Sequence, residues 1–410
     1  LIPLDPSDLG RRAEAMLEEL AAISADPDRL VRLYLTPEFR RAADLVAQWM
    51  REAGLAVSED ALGSVHGRRG DGPRLLVGSH IDTVIDAGKY DGALGVVAGI
   101  LAVDTLQRGG VRLPAIELLA FGDEEGSRFP STLPTSAAVA GRFVPRTFDL
   151  VDSQGVRFDD ALRLYGKDPN DVPATALKRG EAAAYVELHI EQGPVLESQN
   201  APLGVVTAIA GQTRMALAVT GEAGHAGTVP MDLRRDALAG AAEMTLVAER
   251  IAREAGEGVV ATVGRLGVHP NAINIIPAEV RFTLDLRAPA DAARNTAVER
   301  FVTQARAIAE RRRLGFEATT IHELATTPCD IALQEALAAA AASLGASPPA
   351  LASGAAHDAM MFTELCPFAM LFVRCKGGVS HNPAEYASPE DMGLAVAALT
   401  RFIERFQARA

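Results

Sequence analysis

Residues 74–84 read RLLVGSHIDTV, an apolar run from Arg74 to Val77 that breaks at Gly78-Ser79-His80. The run is short, does not alternate and ends in turn residues, as a strand buried on both faces does. Such a strand needs neighbours, and three more runs of the same kind occur. They are 115–121, which stops at Gly122-Asp123-Glu124-Glu125, then 183–190, and 368–373. Helix patterns lie around them. Residues 8–25 place Leu9, Ala13, Met16, Leu17 and Leu20 on one face, and 36–53 stops at Gly54. Residues 91–106, 331–344 and 389–406 read as helices too. Strands alternating with helices predict an α/β layer with a mixed, largely parallel sheet flanked by helices. Residues 145–182 are polar and irregular and read as an excursion at the rim of the candidate site.

The middle of the chain has another rhythm. Residues 214–220 alternate like a strand, 235–254 read as a helix, 259–263 and 279–286 as strands, 289–312 as a helix and 315–321 as a strand. That is β-α-β-β-α-β, the ferredoxin-like α+β order. The expected organisation is one domain from 1–211 and 328–410, with a second, 212–327, inserted into it.

Bulk properties narrow the class. The 410 residues exceed one ordinary core, and 48% hydrophobic with 23% charged describes a packed globular chain. The net charge of −13 argues against a nucleic-acid partner or an anionic membrane surface. It leaves room for a small anionic substrate in a locally positive site. Three cysteines, Cys329, Cys366 and Cys375, form no CxxC pair, which favours a reducing compartment over a disulfide framework. No apolar run is long enough to span a bilayer. Leu1 to Asp8 lack the basic and apolar regions of a signal peptide, so a cytoplasmic location is expected. The first residue is not Met, which reads as a trimmed chain.

The residues that carry chemistry cluster at strand ends, where open α/β sheets bind ligands. His80 closes the first apolar run, and Asp82 follows at i+2, the spacing of a metal ligand and the carboxylate that orients its ring. Alone, the pair is also an ordinary polar strand end. Asp91, in Lys89-Tyr90-Asp91-Gly92-Ala93, opens a helix pattern; it reads as a helix N-cap or as a carboxylate bridging two cations. Asp123, Glu124 and Glu125 repel one another unless cations neutralise them, and one Glu of such a pair can bind metal while its neighbour acts as general base. A solvated acidic loop is the bland alternative. His189, in ELHIEQGP (187–194), closes another run, and His381 lies in the Gly-rich stretch 377–383. A lone His is more often structural, but three at strand ends beside acidic motifs shift that balance. A His/Asp/Glu set without Cys suits two divalent ions, Zn²⁺ or Mn²⁺, with Co²⁺ or Ni²⁺ as further options. In the insert, GHAGTVPM (224–231), NAINIIP (271–277) and Asp285-Leu286-Arg287 offer neutral donors and one fixed cation, which an anionic amide substrate requires.

Taken in order, these seven segments resemble the M20 metallopeptidase-like superfamily, in the branch of ureido-hydrolases that holds allantoate amidohydrolases, N-carbamoyl-L-amino acid hydrolases and β-ureidopropionases. The likeness runs over nearly the whole chain. It implies a di-metal exopeptidase-like catalytic domain with the insert as a dimerisation domain. It implies that His80, Asp91 and His189 hold one metal and that Asp91, Glu125 and His381 hold the other. Glu124 would be the general base and Asp82 would orient His80. Gln192, Arg214, Asn274 and Arg287 would contact the substrate, and His225 would reach the reaction centre of a partner subunit in a homodimer. His189 itself looks like this branch, because peptidase branches tend to carry a carboxylate there. Residues 80–95, 121–131 and 204–214 resemble allantoate amidohydrolases most. An N-carbamoyl-L-amino acid hydrolase is the nearest alternative, ahead of a dipeptidase and a non-catalytic binding protein. Two departures bear on the substrate: Ala356 stands where relatives carry Gly, and 130–136 differs from the usual wording.

Overall fold

The structure is a computed structural model that describes residues 1–131, 133–256 and 258–408. Thr132, inside the divergent 130–136 stretch, lies outside the described residues, as do Glu257, Arg409 and Ala410. The chain forms two compact units. One comprises Leu1–Thr207, Cys329–Leu351 and Ala356–Ala410, the other Ala208–Pro328 and Ala352–Ala355.

The first unit is built on a mixed sheet. Its strands run in the order Ala56–Glu59, Val65–Arg69, Ile116–Phe121, Arg74–His80, Ala182–Ile190, Phe368–Val373 and Leu203–Ile209. The four inner strands, from Ile116–Phe121 to Phe368–Val373, are parallel. Their flanks are antiparallel. Every residue of Ile116–Phe121 and Phe368–Val373 is buried, which is why these segments read as unbroken apolar runs. Helix Ala93–Arg108 is buried around almost its whole circumference. It packs on the strands Arg74–His80 and Ala182–Ile190 and against helices Pro6–Ala21 and Pro389–Arg405. Register then fixes the site: His80 stands opposite Phe121, and His189 opposite Phe372. The chemistry-bearing residues therefore leave the sheet at one edge, the carboxyl ends of its parallel strands.

Three local readings need correction. The hairpin of Ala56–Glu59 and Val65–Arg69 was not anticipated, nor was the strand Leu203–Ile209. Residues 145–182 are less irregular than they read. They hold helix Phe158–Leu164 and two short 3₁₀ turns, and Phe158, Ala161, Leu162 and Val172 enter the main core. Their apolar residues are too irregularly spaced to show a period. Helix Ala93–Arg108 begins two residues later than expected, with Gly92 in the capping position and no side-chain cap, so Asp91 is not an N-cap.

The second unit has an antiparallel sheet in the order Gly315–Leu324, Gly211–Thr220, Glu279–Ala288. Val260–Thr262 and Leu266–His269 share the outer edge of Glu279–Ala288. What reads in sequence as one strand at 259–263 is thus the first of two pieces. Helices Ala237–Ala255 and Asp291–Arg312 pack together and cover one face, through Met244, Ile251, Phe301 and Ile308. The other face carries Arg214, Ala216 and Ala218, the alternate residues of their strand. A two-stranded finger pairs Gly224–His225 with Ile275–Ile276. Thr327–Pro328 pairs with Ile209 and Ala208, so the stretch enters and leaves through adjacent residues. Among the described residues, no helix is long and apolar enough to cross a membrane.

Candidate metal centre

Asp91 is the hub. Its Oδ1 lies 3.1 Å from His189 Nε2 and 3.6 Å from His80 Nε2. Its Oδ2 lies 3.4 Å from His381 Nε2, which is also 3.4 Å from Glu125 Oε2. The ligand atoms of His80, Asp91 and His189 lie within 4.8 Å of one another, and so do those of Asp91, Glu125 and His381. One carboxylate thus gives one oxygen to each group. The first group is fully buried, whereas His381 is half exposed.

The imidazoles are aimed from behind. His189 Nδ1 is 2.9 Å from the carbonyl of Ile190, and His80 Nδ1 is 3.2 Å from the carbonyl of Asp82. These bonds leave each Nε2 facing the centre, the usual arrangement for a metal-binding His. Asp82 stands behind His80 with both its carbonyl and, 3.5 Å from Nδ1, its carboxylate. That carboxylate also accepts the N–H groups of Glu124 and Glu125, at 3.2 and 3.3 Å. The turn after Phe121 needs such an acceptor because its amides leave the sheet, with Asp123 at φ 56°. Asp123 turns away from its two neighbours onto Ser131 Oγ.

Burial and charge set the protonation of the centre. Burial pushes the Glu124 carboxyl well above the usual range, against the pull of His80. Burial and then the Asp91 charge raise Glu125 to about 7. Burial opposes ionisation of Asp91 as well, but the imidazoles, His189 first, hold it well below the usual range. This concentration of donors fits cations. Among the described residues the buried Asp91 Oδ1 accepts no well-aligned hydrogen bond although His189 Nε2 is 3.1 Å away, an arrangement that a cation between them would relieve. The donors are imidazole and carboxylate with no thiolate, so borderline and hard divalent ions suit them.

Gln192, at φ 58°, donates from its Nε2 to Asp91 Oδ2 at 2.8 Å, and its buried Oε1 has no hydrogen-bond partner among the described residues. The remaining expected residues lie in the second unit, in two places. Asp285 accepts Arg287 Nε at 3.1 Å, Arg287 Nη2 at 3.2 Å and Arg214 Nε at 3.1 Å, and Arg287 Nη1 donates to the Gly354 carbonyl at 2.7 Å. These arginines and Arg265 line a cavity of about 710 Å³. His225 and Asn274 sit together on the finger, where Ala226 N donates to the Asn274 carbonyl. His225 Nδ1 accepts from Gly227 N at 3.0 Å, so the neutral ring carries its proton on Nε2.

Sequence reasoning missed a layer behind the centre. Glu187, fully buried, accepts from Ser79 Oγ at 2.9 Å, Tyr185 OH at 3.2 Å and Ala359 N at 2.9 Å. His357 packs edge-on against His189, with ring centroids 4.5 Å apart. A Glu inside an otherwise apolar strand was the available signal for Glu187. Glu385, four residues past His381, had none.

Comparison with known proteins adds relatives. The model of peptidase family M20/M25/M40 matches residues 76–405. An N-carbamoyl-L-amino acid amidohydrolase of Geobacillus stearothermophilus is 42% identical over 94% of this chain and 95% of its own. An allantoate deiminase of Arabidopsis thaliana is 40% identical over 96% of this chain and 81% of its own. A crystal structure of an amidase of the hydantoinase/carbamoylase family from Burkholderia multivorans superposes with a TM-score of 0.90 at 34% identity, covering 96% of this chain and 97% of its own.

Proposed function

Because the chain belongs to peptidase family M20/M25/M40, and within it to the amidohydrolases acting on carbon–nitrogen bonds, we propose that it hydrolyses the ureido C–N bond of allantoate. The observation that supports this reading best is the Asp91 carboxylate, one oxygen in each donor group, with Glu124 alongside. His80, Asp91 and His189 would hold one divalent cation and Asp91, Glu125 and His381 a second, Zn²⁺ or Mn²⁺ by donor type. When bound, such a pair acidifies a water and polarises a carbonyl.

The chain's own residues do the rest. Glu124 takes the proton of the attacking water, and its raised pKa keeps it able to give that proton back. The oxygen adds to the ureido carbon. His225 Nε2–H, reaching over from the partner subunit of a homodimer built on the second unit, donates to the developing oxyanion. The C–N bond then breaks as Glu124 protonates the departing nitrogen. Ammonia leaves, and the carbamate loses carbon dioxide. Arg287 takes the substrate carboxylate, while Arg214, Asn274 and the unmatched Oε1 of Gln192 meet its polar groups. The working location is the cytoplasm.

An N-carbamoyl-L-amino acid is the second reading, favoured by the 42% identity to the Geobacillus enzyme. It keeps the same centre and changes only the pocket. The test is ammonia release from allantoate beside a panel of N-carbamoyl-L-amino acids, with Zn²⁺ or Mn²⁺ loaded. Metal-dependent turnover of allantoate, absent in Glu124→Gln and after chelation, supports the first reading. Preference for a carbamoyl amino acid moves the assignment to the second, and no ammonia from any ureido compound sinks both.

A further inference from the structure

Asp91 is held by residues with no part in the reaction described above. Its main-chain N–H and that of Tyr90 donate to Glu385 Oε1, at 3.1 and 2.9 Å. Ser380 Oγ lies 2.9 Å from the other oxygen of Glu385 and 2.7 Å from Asp91 Oδ2. Glu385 thus grips the bridging residue by its backbone, while Ser380, with a single hydroxyl proton to give to one carboxylate at a time, stands between the two side chains. Glu385 is only 5% exposed, and room is cleared for it: a Cβ at Gly88 would stand 2.3 Å from Glu385 Cβ.

The grip answers a geometric need. Asp91 sits in a loop, before a helix that lacks a side-chain cap. Nothing in its own secondary structure fixes the rotation of its carboxylate. A bridging role requires each oxygen to face its own group of donors. Ser380 and Gln192 both lie on Oδ2, which leaves Oδ1 turned to the imidazoles of His80 and His189.

We propose that Glu385 and Ser380 are positioning residues: Glu385 holds the Tyr90 and Asp91 amides, and the Ser380 hydroxyl donates to Asp91 Oδ2, so that together they fix the Asp91 carboxylate across the two donor groups. The inference rests on the two-cation reading above, and its test separates the two. Cobalt(II) is titrated into the metal-free protein and followed by calorimetry and visible absorption, for wild type, Glu385→Ala, Glu385→Gln and Ser380→Ala. Ureido turnover is measured on the same samples. Glu385→Ala should bind cobalt about 10- to 100-fold more weakly. Its kcat should fall by about the same factor while KM moves less than about threefold. Glu385→Gln should recover much of both, because its carbonyl oxygen still accepts the two amides. Ser380→Ala, which deletes one hydrogen bond, should weaken cobalt about threefold or more, and it carries the test if Glu385→Ala does not fold. A wild type that takes up no cobalt sinks the two-cation reading itself. A wild type that binds cobalt, with Glu385→Ala and Ser380→Ala titrating identically to it, overturns the positioning role alone. Glu385→Gln as weak as Glu385→Ala also overturns it.

Discussion

At the scale of single residues, the site is a set of carboxylates given unlike tasks by their neighbours. Among the described residues Glu124 has no hydrogen bond to a cationic partner, only His80 Nε2 at 3.9 Å, which suits the proton transfer proposed for it. Replacing it with Gln should lower kcat by about 10²–10⁴ while cobalt uptake stays at the wild-type level, as calorimetry would show. Asp82 holds the amides of Glu124 and Glu125, so Asp82→Ala should disturb the acid pair, and with it kcat, more than substrate affinity. Away from the centre, His66 lies buried between Glu117 Oε1 at 2.6 Å and Asp60 Oδ2 at 3.2 Å, with Arg68 and Arg74 also on Glu117. Burial pushes its pKa down, but the Asp60 and Glu117 hydrogen bonds overcome this and lift it to about 9. A folded pKa above the unfolded value of about 6.5 stabilises the fold fully below pH 6.5, and that stability is lost as pH rises through 9. The contribution is of order 3 kcal/mol. Urea unfolding between pH 6 and 10 should show this decline, and His66→Gln should flatten it.

At the scale of elements, the sequence is most informative where burial is complete. The four inner strands of the first unit are apolar runs because both faces are covered, and the strands of the second unit alternate because one face is open. Strand order and register are not written locally. The hairpin at Ala56–Glu59 and Val65–Arg69 escaped because its strands are short, and the first is only half buried. Leu266–His269 escaped because most of it is exposed. The candidate donors His80, Glu125 and His189 were legible because each lies at or just beyond a strand end, where an acid or imidazole interrupts apolar residues, and Asp91 and His381 because they stand in Gly-containing loops that follow such strands. Glu187 and Glu385 were not, because their partners lie far off in sequence and appear only once strands are in register. Glu187 ties the strand of Ser79 to its own strand and to Ala359. Glu187→Ala should therefore leave buried donors unmatched and cost about 1–3 kcal/mol by urea denaturation. Leu101→Ala, in the buried helix Ala93–Arg108, should cost about 2–5 kcal/mol by the same measurement.

At the scale of the whole molecule, each unit owns a core. The first buries Phe39, Leu101 and Phe402, the second Met244, Phe282 and Phe301. The proposed cation ligands all belong to the first. Adding Zn²⁺ or Mn²⁺ at a hundred times its dissociation constant should stabilise that unit by about 2.7 kcal/mol. Calorimetry should show the transition of the first unit rising with added metal and falling with chelator, with that of the second unmoved. A uniform shift of both would place cation binding elsewhere.

The pairing of Thr327–Pro328 with Ile209 and Ala208 has a consequence for ancestry and engineering. A segment whose two ends sit side by side is a cassette. Its removal needs only a short turn to close the gap, and its acquisition needs only a break in one loop. An exchange of inserts between relatives, joined at these paired residues, should leave the donor groups around Asp91 intact while replacing the arginines proposed to contact the substrate.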